Sequence, residues 1–229
     1  MSTRLGMPRL HLRVTDSTNE RARRLAAAGA PHGTLITADE QSAGRGRQGR
    51  TWSAPPGRAL LMSLVLREVP ELMTLAAAVA VADVAGAGAT IKWPNDVLLA
   101  GGGKVAGILA EARPQEGWAV LGIGLNVAVR VQDLPVALRG SAATLGLEPS
   151  AVEPLLVELL DALQARLTAQ RAVLLSAYRD RDALRGRAVR WQLGHGVAAG
   201  IDDVGRLLVE RGDGTRTALE AGEVHLAGS

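Results

Sequence analysis

The stretch Gly44-Arg45-Gly46-Arg47-Gln48-Gly49-Arg50-Thr51-Trp52 sets three arginines among three glycines. Glycine lets backbone N–H groups close on a ligand, and successive N–H groups form concave anion sites. Arginine adds a planar fork that grips carboxylate or phosphate oxygens. The chemistry is anion binding, best suited to phosphate, on a loop long enough to order around what it holds. A solvated basic loop or an RNA-contacting segment would have the same composition. Lys92-Trp93-Pro94-Asn95-Asp96 puts an ammonium, an amide and a carboxylate on one rigid turn, where they could meet phosphates or a metal. Asn and Asp are also ordinary turn residues that bond their own backbone. Gly103-Lys104-Val105-Ala106-Gly107-Ile108-Leu109 and Gly122-Ile123-Gly124-Leu125-Asn126 carry glycines inside strand-like runs. Such glycines mark a bulge or the close approach of a backbone or ligand.

Other chemistries are absent. The 229 residues hold no cysteine, which excludes disulfides, thiolate metal sites and a catalytic thiol. The histidines at 11, 32, 195 and 225 have no zinc-ligand spacing. Neither a P-loop, a dinucleotide fingerprint nor a Gly-x-Ser-x-Gly elbow is present. A net charge of +3 is too small to indicate a nucleic-acid protein by itself. The cations are lopsided, with two lysines, Lys92 and Lys104, against 24 arginines. Both lysines fall inside the candidate motifs.

The elements that must position these residues follow from patterning. Residues 10–14 and 33–38 read as strands, joined by a helix over 21–28 that Ser17-Thr18-Asn19-Glu20 could start as a capping box and Gly29 stops. Residues 41–57 form a long Gly/Arg/Pro loop before an apolar strand at 59–66 and an Ala-rich helix at 70–85. Short strands at 90–93 and 96–99 flank the Pro94-Asn95 turn, and 104–111 and 118–127 read as a strand pair. Residues 151–183 have the spacing of one long helix. Beyond Gly186, five short strands at 188–193, 197–201, 206–210, 215–219 and 224–226 suggest a small barrel. No signal peptide is visible, and the apolar run at 72–82 is too short to span a bilayer, so a cytoplasmic protein without membrane contact is expected.

In order along the chain, Ser17-Thr18-Asn19, Gln41 with the Gly-Arg loop, Lys-Trp-Pro-Asn-Asp, Gly-Lys-x-x-Gly-Ile-Leu and Gly-Ile-Gly-Leu-Asn resemble the biotin–protein ligases. Gly200-Ile201-Asp202 and Gly222-Glu223-Val224 resemble that family's small C-terminal barrel, so the likeness covers nearly the whole chain. The resemblance implies an α+β fold: a central mixed sheet flanked by helices, class II synthetase-like, with a small SH3-like β-barrel. Residues 1–184 would be the catalytic domain and 185–229 the barrel.

It also implies a reaction. Biotin and ATP, accompanied by magnesium, give biotinyl-5′-AMP and pyrophosphate; a lysine of a biotin carboxyl carrier domain, such as that of acetyl-CoA carboxylase, then takes the biotinyl group. Fixed cations must neutralise two anions forced together. By motif position Lys104, Arg47 and Asp96 would be catalytic, with Lys104 bridging the carboxylate and the α-phosphate and Asp96 holding magnesium or the incoming amine. Biotin would meet Ser17, Thr18, Asn19, Gln41, Gly44, Arg45, Gly46, Arg47 and Lys104, with Gly107, Gly122 and Gly124 making room for its bicycle. ATP would meet Arg45, Arg47, Arg50, Trp52, Lys92, Asn95, Lys104 and Asn126, with Trp52 covering the closed loop.

The motifs begin at Ser17, leaving no room for the winged helix of the family's repressors, so DNA binding is not expected. Some members of the resembled family use an aromatic near the adenine, and residues 127–147 hold none, so how tightly the adenylate is retained is left open. Edge strands of the sheet could support a homodimer. A lipoate–protein ligase or transferase is the alternative enzyme, and a nucleic-acid-binding module the alternative from another class.

Overall fold

The computed structural model describes residues 4–220 and 224–226. Strand β1 (Arg9–Thr15) leads through helix α1 (Thr18–Ala27) to β2 (Leu35–Gln41), which pairs parallel to β1 with Leu10 opposite Ile36. A parallel pair needs such a crossover, whereas antiparallel neighbours do not. After the Gly-Arg loop, β3 (Ala59–Leu66) runs antiparallel to β2, and helix α2 (Met73–Ala85) follows. Two short strands, β4 (Thr90–Lys92) and β5 (Asp96–Leu98), flank a turn whose Trp93–Pro94 peptide is cis. The long hairpin β6 (Lys104–Arg113) and β7 (Trp118–Asn126) completes a seven-stranded sheet ordered β1-β2-β3-β7-β6-β5-β4. This is the mixed sheet expected, with β1/β2 its parallel pair.

Helices cover both faces. On one, Ala22 and Ala26 of α1 pack on Ile36, Val65, Trp118 and Val120. On the other lies α2, with every residue from Leu75 to Ala82 buried. The short helix α3 (Val136–Arg139) precedes α4 (Val152–Leu167) and α5 (Arg171–Arg179). Leu155, Leu156, Leu159 and Leu163 of α4, at i, i+3, i+4 spacing, join the α2 core. The Ala-rich composition of α2 fits a helix enclosed on all sides, because small side chains let sheet and helices approach it together. Among the described residues no helix is long and apolar enough to cross a membrane.

One expectation is corrected, and one is met only in its coarser form. The helix expected over 151–183 is broken between α4 and α5, where Thr168 Oγ1 donates back to Gln164 O at 2.8 Å and Gln170 is extended (φ −59°, ψ 140°). Neither residue is a glycine or proline, so the sequence carried no stop signal. The C-terminal strands β8 (Ala188–Trp191), β9 (Gly194–Ile201), β10 (Leu207–Glu210), β11 (Arg216–Leu219) and β12 (His225–Leu226) form an antiparallel sheet ordered β11-β10-β9-β8-β12. Its edges β11 and β12 are not paired to each other among the described residues, so a closed barrel is not seen. Gly222 and Glu223 of the expected tail motif lie outside the described residues.

That sheet is fastened to the body. Ile91 N–H donates to Arg181 O at 2.7 Å, Ala183 N–H to Ile91 O at 2.9 Å, and Trp93 Nε1 to Gly205 O at 3.0 Å. Val189, Ala198, Ile201, Leu207, Val209 and Val224 belong to the same apolar core as Leu75 and Ile91. Burial of the junction has an electrostatic consequence. Desolvation raises the Asp182 carboxyl above the usual range against the pull of the Leu184 and Arg185 N–H groups, and pushes the Tyr178 phenol well up.

Candidate functional site

Sheet register brings the dispersed motifs together. Pairing of β6 with β7 sets Gly107 opposite Gly124 and Leu109 opposite Gly122, and pairing of β5 with β6 sets Asp96 opposite Gly107. The three glycines thus form a side-chain-free floor. Over it lies a cavity of about 560 Å³, lined by residues from every sequence motif.

One end is neutral and closely bonded. Gln41 Oε1 accepts from Thr18 N–H at 2.8 Å and Thr18 Oγ1 at 3.1 Å. Ser63 Oγ lies 2.8 Å from Thr18 Oγ1 and donates to Asn19 Oδ1 at 2.6 Å. Asn19 Nδ2 in turn donates to Leu109 O at 3.2 Å and Glu111 Oε2 at 3.0 Å. Ser17 is the N-cap of α1, yet it makes no side-chain cap bond and instead lines the cavity. The capping box is therefore not formed: Glu20 turns to Arg23 and Arg24, at 3.1 Å each, and approaches Arg45 at 3.5 Å. Beside it Asp16 is held below the usual carboxylate range, chiefly by the Ser17 N–H and then by the Thr15 hydroxyl.

The Gly-Arg loop closes on itself as a small hairpin. Gly46 N–H donates to Arg50 O at 2.7 Å and Trp52 N–H to Gly44 O at 2.9 Å, around a 3₁₀ turn over Arg47–Gly49 in which Gln48 is left-handed (φ 55°). A Cβ on Gly44 would stand 2.3 Å from Trp52 O, so this crossing admits only glycine. Gly44 thus shapes the loop and does not line the cavity, whereas Arg45, Gly46, Arg47, Arg50 and Trp52 do.

Trp52 lies across the floor. A Cβ on Gly124 would be 2.4 Å from its ring, and one on Gly107 3.2 Å. A Cβ on Gly122 would fall 1.8 Å from Asn19 Oδ1. The room the glycines leave is therefore taken in this structure by the protein's own indole and amide, a correction to the expectation that it is simply space for a ligand. The Trp52 Nε1 donor and the Asn126 Oδ1 acceptor are buried without hydrogen-bond partners among the described residues. Buried polar atoms of this kind are costly unless something satisfies them.

The other end is charged. Lys104 Nζ lies 2.6 Å from Asp96 Oδ1 and 5.6 Å from the Trp52 ring centroid, within cation–π range. Arg47 Nη1 donates to Asn95 Oδ1 at 3.0 Å, and Asn95 Nδ2 donates to Ile108 O at 2.9 Å. Asn95, expected on the nucleotide side, therefore acts through Arg47 as a strut. Lys92 lines the cavity, and its side chain makes no hydrogen bond or ion pair among the described residues. Asn126, whose Nδ2 donates to Ala143 O at 2.9 Å, ties β7 to the segment crossing the cavity mouth.

The protein donors alone do not close a metal site: Asp96 has one oxygen engaged by Lys104, and no group of three metal-binding side chains occurs among the described residues. A magnesium ion arriving with a nucleotide would need only one or two carboxylates and take its other ligands from phosphates and water, so Asp96 would hold it only together with those.

Four contributors went unread in the sequence. Ser63 left a signal, as the one polar residue in the run Ala59–Leu66. Glu111 left none, because a carboxylate near a strand end is ordinary. His225 and Leu226 line the cavity from the C-terminal sheet, a meeting that only tertiary structure creates.

Residues 11–127 match the biotin/lipoate A/B protein ligase family, and residues 185–226 match the biotin protein ligase C-terminal domain. The chain is 41% identical over 154 residues to the bifunctional ligase/repressor BirA of Bacillus subtilis, a match covering 62% of this chain and 47% of that protein. It thus spans about half the length of that relative. Identity is 38% over 234 residues to the biotin--[acetyl-CoA-carboxylase] ligase of Mycobacterium tuberculosis, covering 92% of this chain and 85% of that one. In fold, the chain is similar to the biotin protein ligase from Aquifex aeolicus in complex with biotin and ATP, at a TM-score of 0.79 and 24% identity over 96% of this chain and 100% of that one.

Proposed function

The chain belongs to the biotin/lipoate A/B protein ligase family, and from that premise we propose that it is an ATP-dependent biotin–protein ligase. It joins biotin to AMP and then transfers the biotinyl group to a lysine of a carboxylase carrier domain. The observation that carries this reading is a single cavity with a neutral, hydrogen-bonding end and a cationic end, joined by Lys104.

Thr18, Asn19 and Gln41 offer the polar contacts a ureido ring needs, with Ser63 bracing Thr18 and Asn19 from behind. The unsatisfied Trp52 N–H and Asn126 carbonyl supply one donor and one acceptor for ligand groups. Lys104, with Asp96 as its resting counter-ion, meets the biotin carboxylate and the α-phosphate; Arg47, braced by Asn95, shares the developing charge. When the carboxylate oxygen bonds to the α-phosphorus, pyrophosphate leaves. Lys104 then stays on the phosphate side, and Asp96 is released to hold the ammonium of the acceptor lysine and take its proton; the freed amine attacks the biotinyl carbonyl carbon, the bond from that carbon to the phosphate oxygen breaks, and AMP leaves with the electron pair. Asp96→Asn should slow transfer from preformed adenylate by about 10²-fold, the range for losing a positioned base. Normal transfer with failed adenylation would instead assign Asp96 to the first half-reaction.

Residues 1–184 serve in this reading as the catalytic unit and 185–229 as an SH3-like unit that completes the active site. No DNA contact is needed, the setting is cytoplasmic, and β1, an exposed sheet edge, would be the surface for a homodimer. Against the lipoate alternative stands the Gly-Arg loop folded over the cavity. Transfer of labelled biotin and of lipoate to their carrier domains separates the two: biotin transfer supports the reading, and transfer of lipoate alone refutes it.

A further inference from the structure

Two carboxylates and two guanidiniums meet where the Gly-Arg loop approaches the start of α1. Odd-numbered residues of β6 share one face, which sets Glu111 in line with Gly107 and Leu109. The two oxygens of Glu111 go separate ways. Oε2 accepts from Asn19 Nδ2 at 3.0 Å, while Oε1 stands 3.9 Å from Nη1 of both Arg23 and Arg45. Glu20, in the first turn of α1, faces the same two groups through Oε2, at 3.1 and 3.5 Å. Its other oxygen is held by Arg24 at 3.1 Å, and Arg24 stands 3.8 Å from Asp16.

Glu20, Arg23 and Glu111 sit on α1 and β6, whereas Arg45 comes from the loop. Arg45 is bridged to Thr51 across that loop, and Thr51 leads into Trp52, whose indole covers the glycine floor. Holding Arg45 therefore holds the loop and its indole. Neither carboxylate lines the cavity, so each would act through the groups it holds. The Glu20 and Glu111 side chains are 28% and 26% exposed, which leaves the pairs partly screened and the hold reversible, as a loop that must release product requires.

We propose that Glu111 is a positioning residue: with Glu20 it latches Arg45, and through Asn19 it ties the hold on the Gly-Arg loop to the neutral, acid-binding end of the cavity. This rests on the reading of the chain as a biotin ligase. One oxygen of Glu111 orients the Asn19 amide and the other attracts the loop, so a ligand that engages Asn19 bears on the loop without touching Arg45. The latch sets how long the acid stays in the cavity, and leaves the rate of its activation to the charged end.

The test uses the full chain and its Glu20→Gln, Glu111→Gln and Arg45→Gln variants, alone and combined. Trypsin cleavage after Arg47 and Arg50 in the ligand-free protein reads the latch directly. Removing both carboxylate charges should speed that cleavage about fivefold, the upper range for a partly exposed ion pair. Biotin dissociation, followed by tryptophan fluorescence, should quicken by about the same factor, while the maximal rate of adenylate formation changes less than about twofold. Arg45→Gln should add little once both carboxylates are neutral, and raised salt should bring the unaltered chain toward the variants. Glu111→Gln keeps an acceptor for Asn19 Nδ2, which separates loss of the latch from loss of the Asn19 contact. Unaltered cleavage and dissociation in the Glu20→Gln, Glu111→Gln double variant would overturn the proposal. So would an Arg45→Gln effect of equal size with and without the two carboxylates, or a fall in maximal adenylate formation with dissociation unchanged. A chain that binds no biotin defeats the ligase reading, and the cleavage rates still decide the latch.

Discussion

The two ends of the cavity are built on opposite principles. At the neutral end, Thr18, Asn19, Gln41, Ser63 and Glu111 satisfy one another through contacts of 2.6–3.2 Å, and Thr18, Asn19 and Ser63 are no more than 4% exposed. At the charged end, the Lys92 ammonium has no hydrogen bond or ion pair among the described residues and Lys104 is held by a single carboxylate. A network bonded before the ligand arrives selects by shape and hydrogen-bond pattern at little ordering cost. Charges whose counter-ions are few or absent bind whatever anion reaches them, and gain most when that anion carries the charge developing in the transition state. Specificity for the acid and power for its activation are therefore placed apart and joined at Lys104.

The largest expected effect lies at that joint. Lys104→Arg should lower adenylate formation by at least about 100-fold while the protein stays folded, a loss in the range measured for a single oxyanion-stabilising donor. The guanidinium is planar and bulkier, and space beside Nζ is limited: a Cβ on Gly107 would already stand 3.1 Å from it. Near-normal activity in a pyrophosphate-exchange assay would mean that any cation serves there, and the division between the ends would lose its joint. Such a result would also return the scarcity of lysine in this chain to mere composition.

At the neutral end Gly122→Ala should do less to chemistry and more to the fold. Its Cβ must displace an Asn19 amide that bonds Ser63, Leu109 and Glu111. A cost of about 1–3 kcal/mol, typical of overpacking, should appear in thermal unfolding. The KM for biotin should rise while the KM for ATP holds. An equal rise in both would show that the two ends are not separable.

The smallest effect tests the seam. Asp182 is buried with its carboxyl raised above the usual range, so its contribution to stability is fully present below the unfolded value and is lost as pH rises through the folded one. Asp182→Asn removes that loss and keeps an acceptor for the Leu184 N–H, which the Asp182 carboxylate accepts at 2.9 Å. A gain of about 1 kcal/mol at pH 7, or ~2–4 °C in Tm for a chain of this size, should shrink toward acid pH. A gain independent of pH would trace the effect to packing instead of charge.

What the sequence made legible follows from how local each cause is. Apolar run length in Ala59–Leu66, small-residue density in α2 and Gly-Arg alternation in residues 44–50 act within a few residues, and each element formed where patterning puts it. The cavity-lining motifs could be grouped because their order is that of a family, while their meeting depends on the β5–β6–β7 register. The helix break at Thr168–Gln170 has no residue that signals it, and the order of the C-terminal sheet depends on which strand edges meet. Ser63, Glu111 and His225 take their roles from partners 44, 92 and more residues away, beyond the reach of periodicity.

The most direct measurement is to incubate the purified chain with saturating biotin and MgATP and to quantify biotinyl-5′-AMP and pyrophosphate by mass spectrometry and coupled assay. One cavity with a neutral end for the acid and a cationic end for the nucleotide predicts both products in equal amounts, and their loss in Lys104→Arg. A folded chain that forms neither would contradict the account.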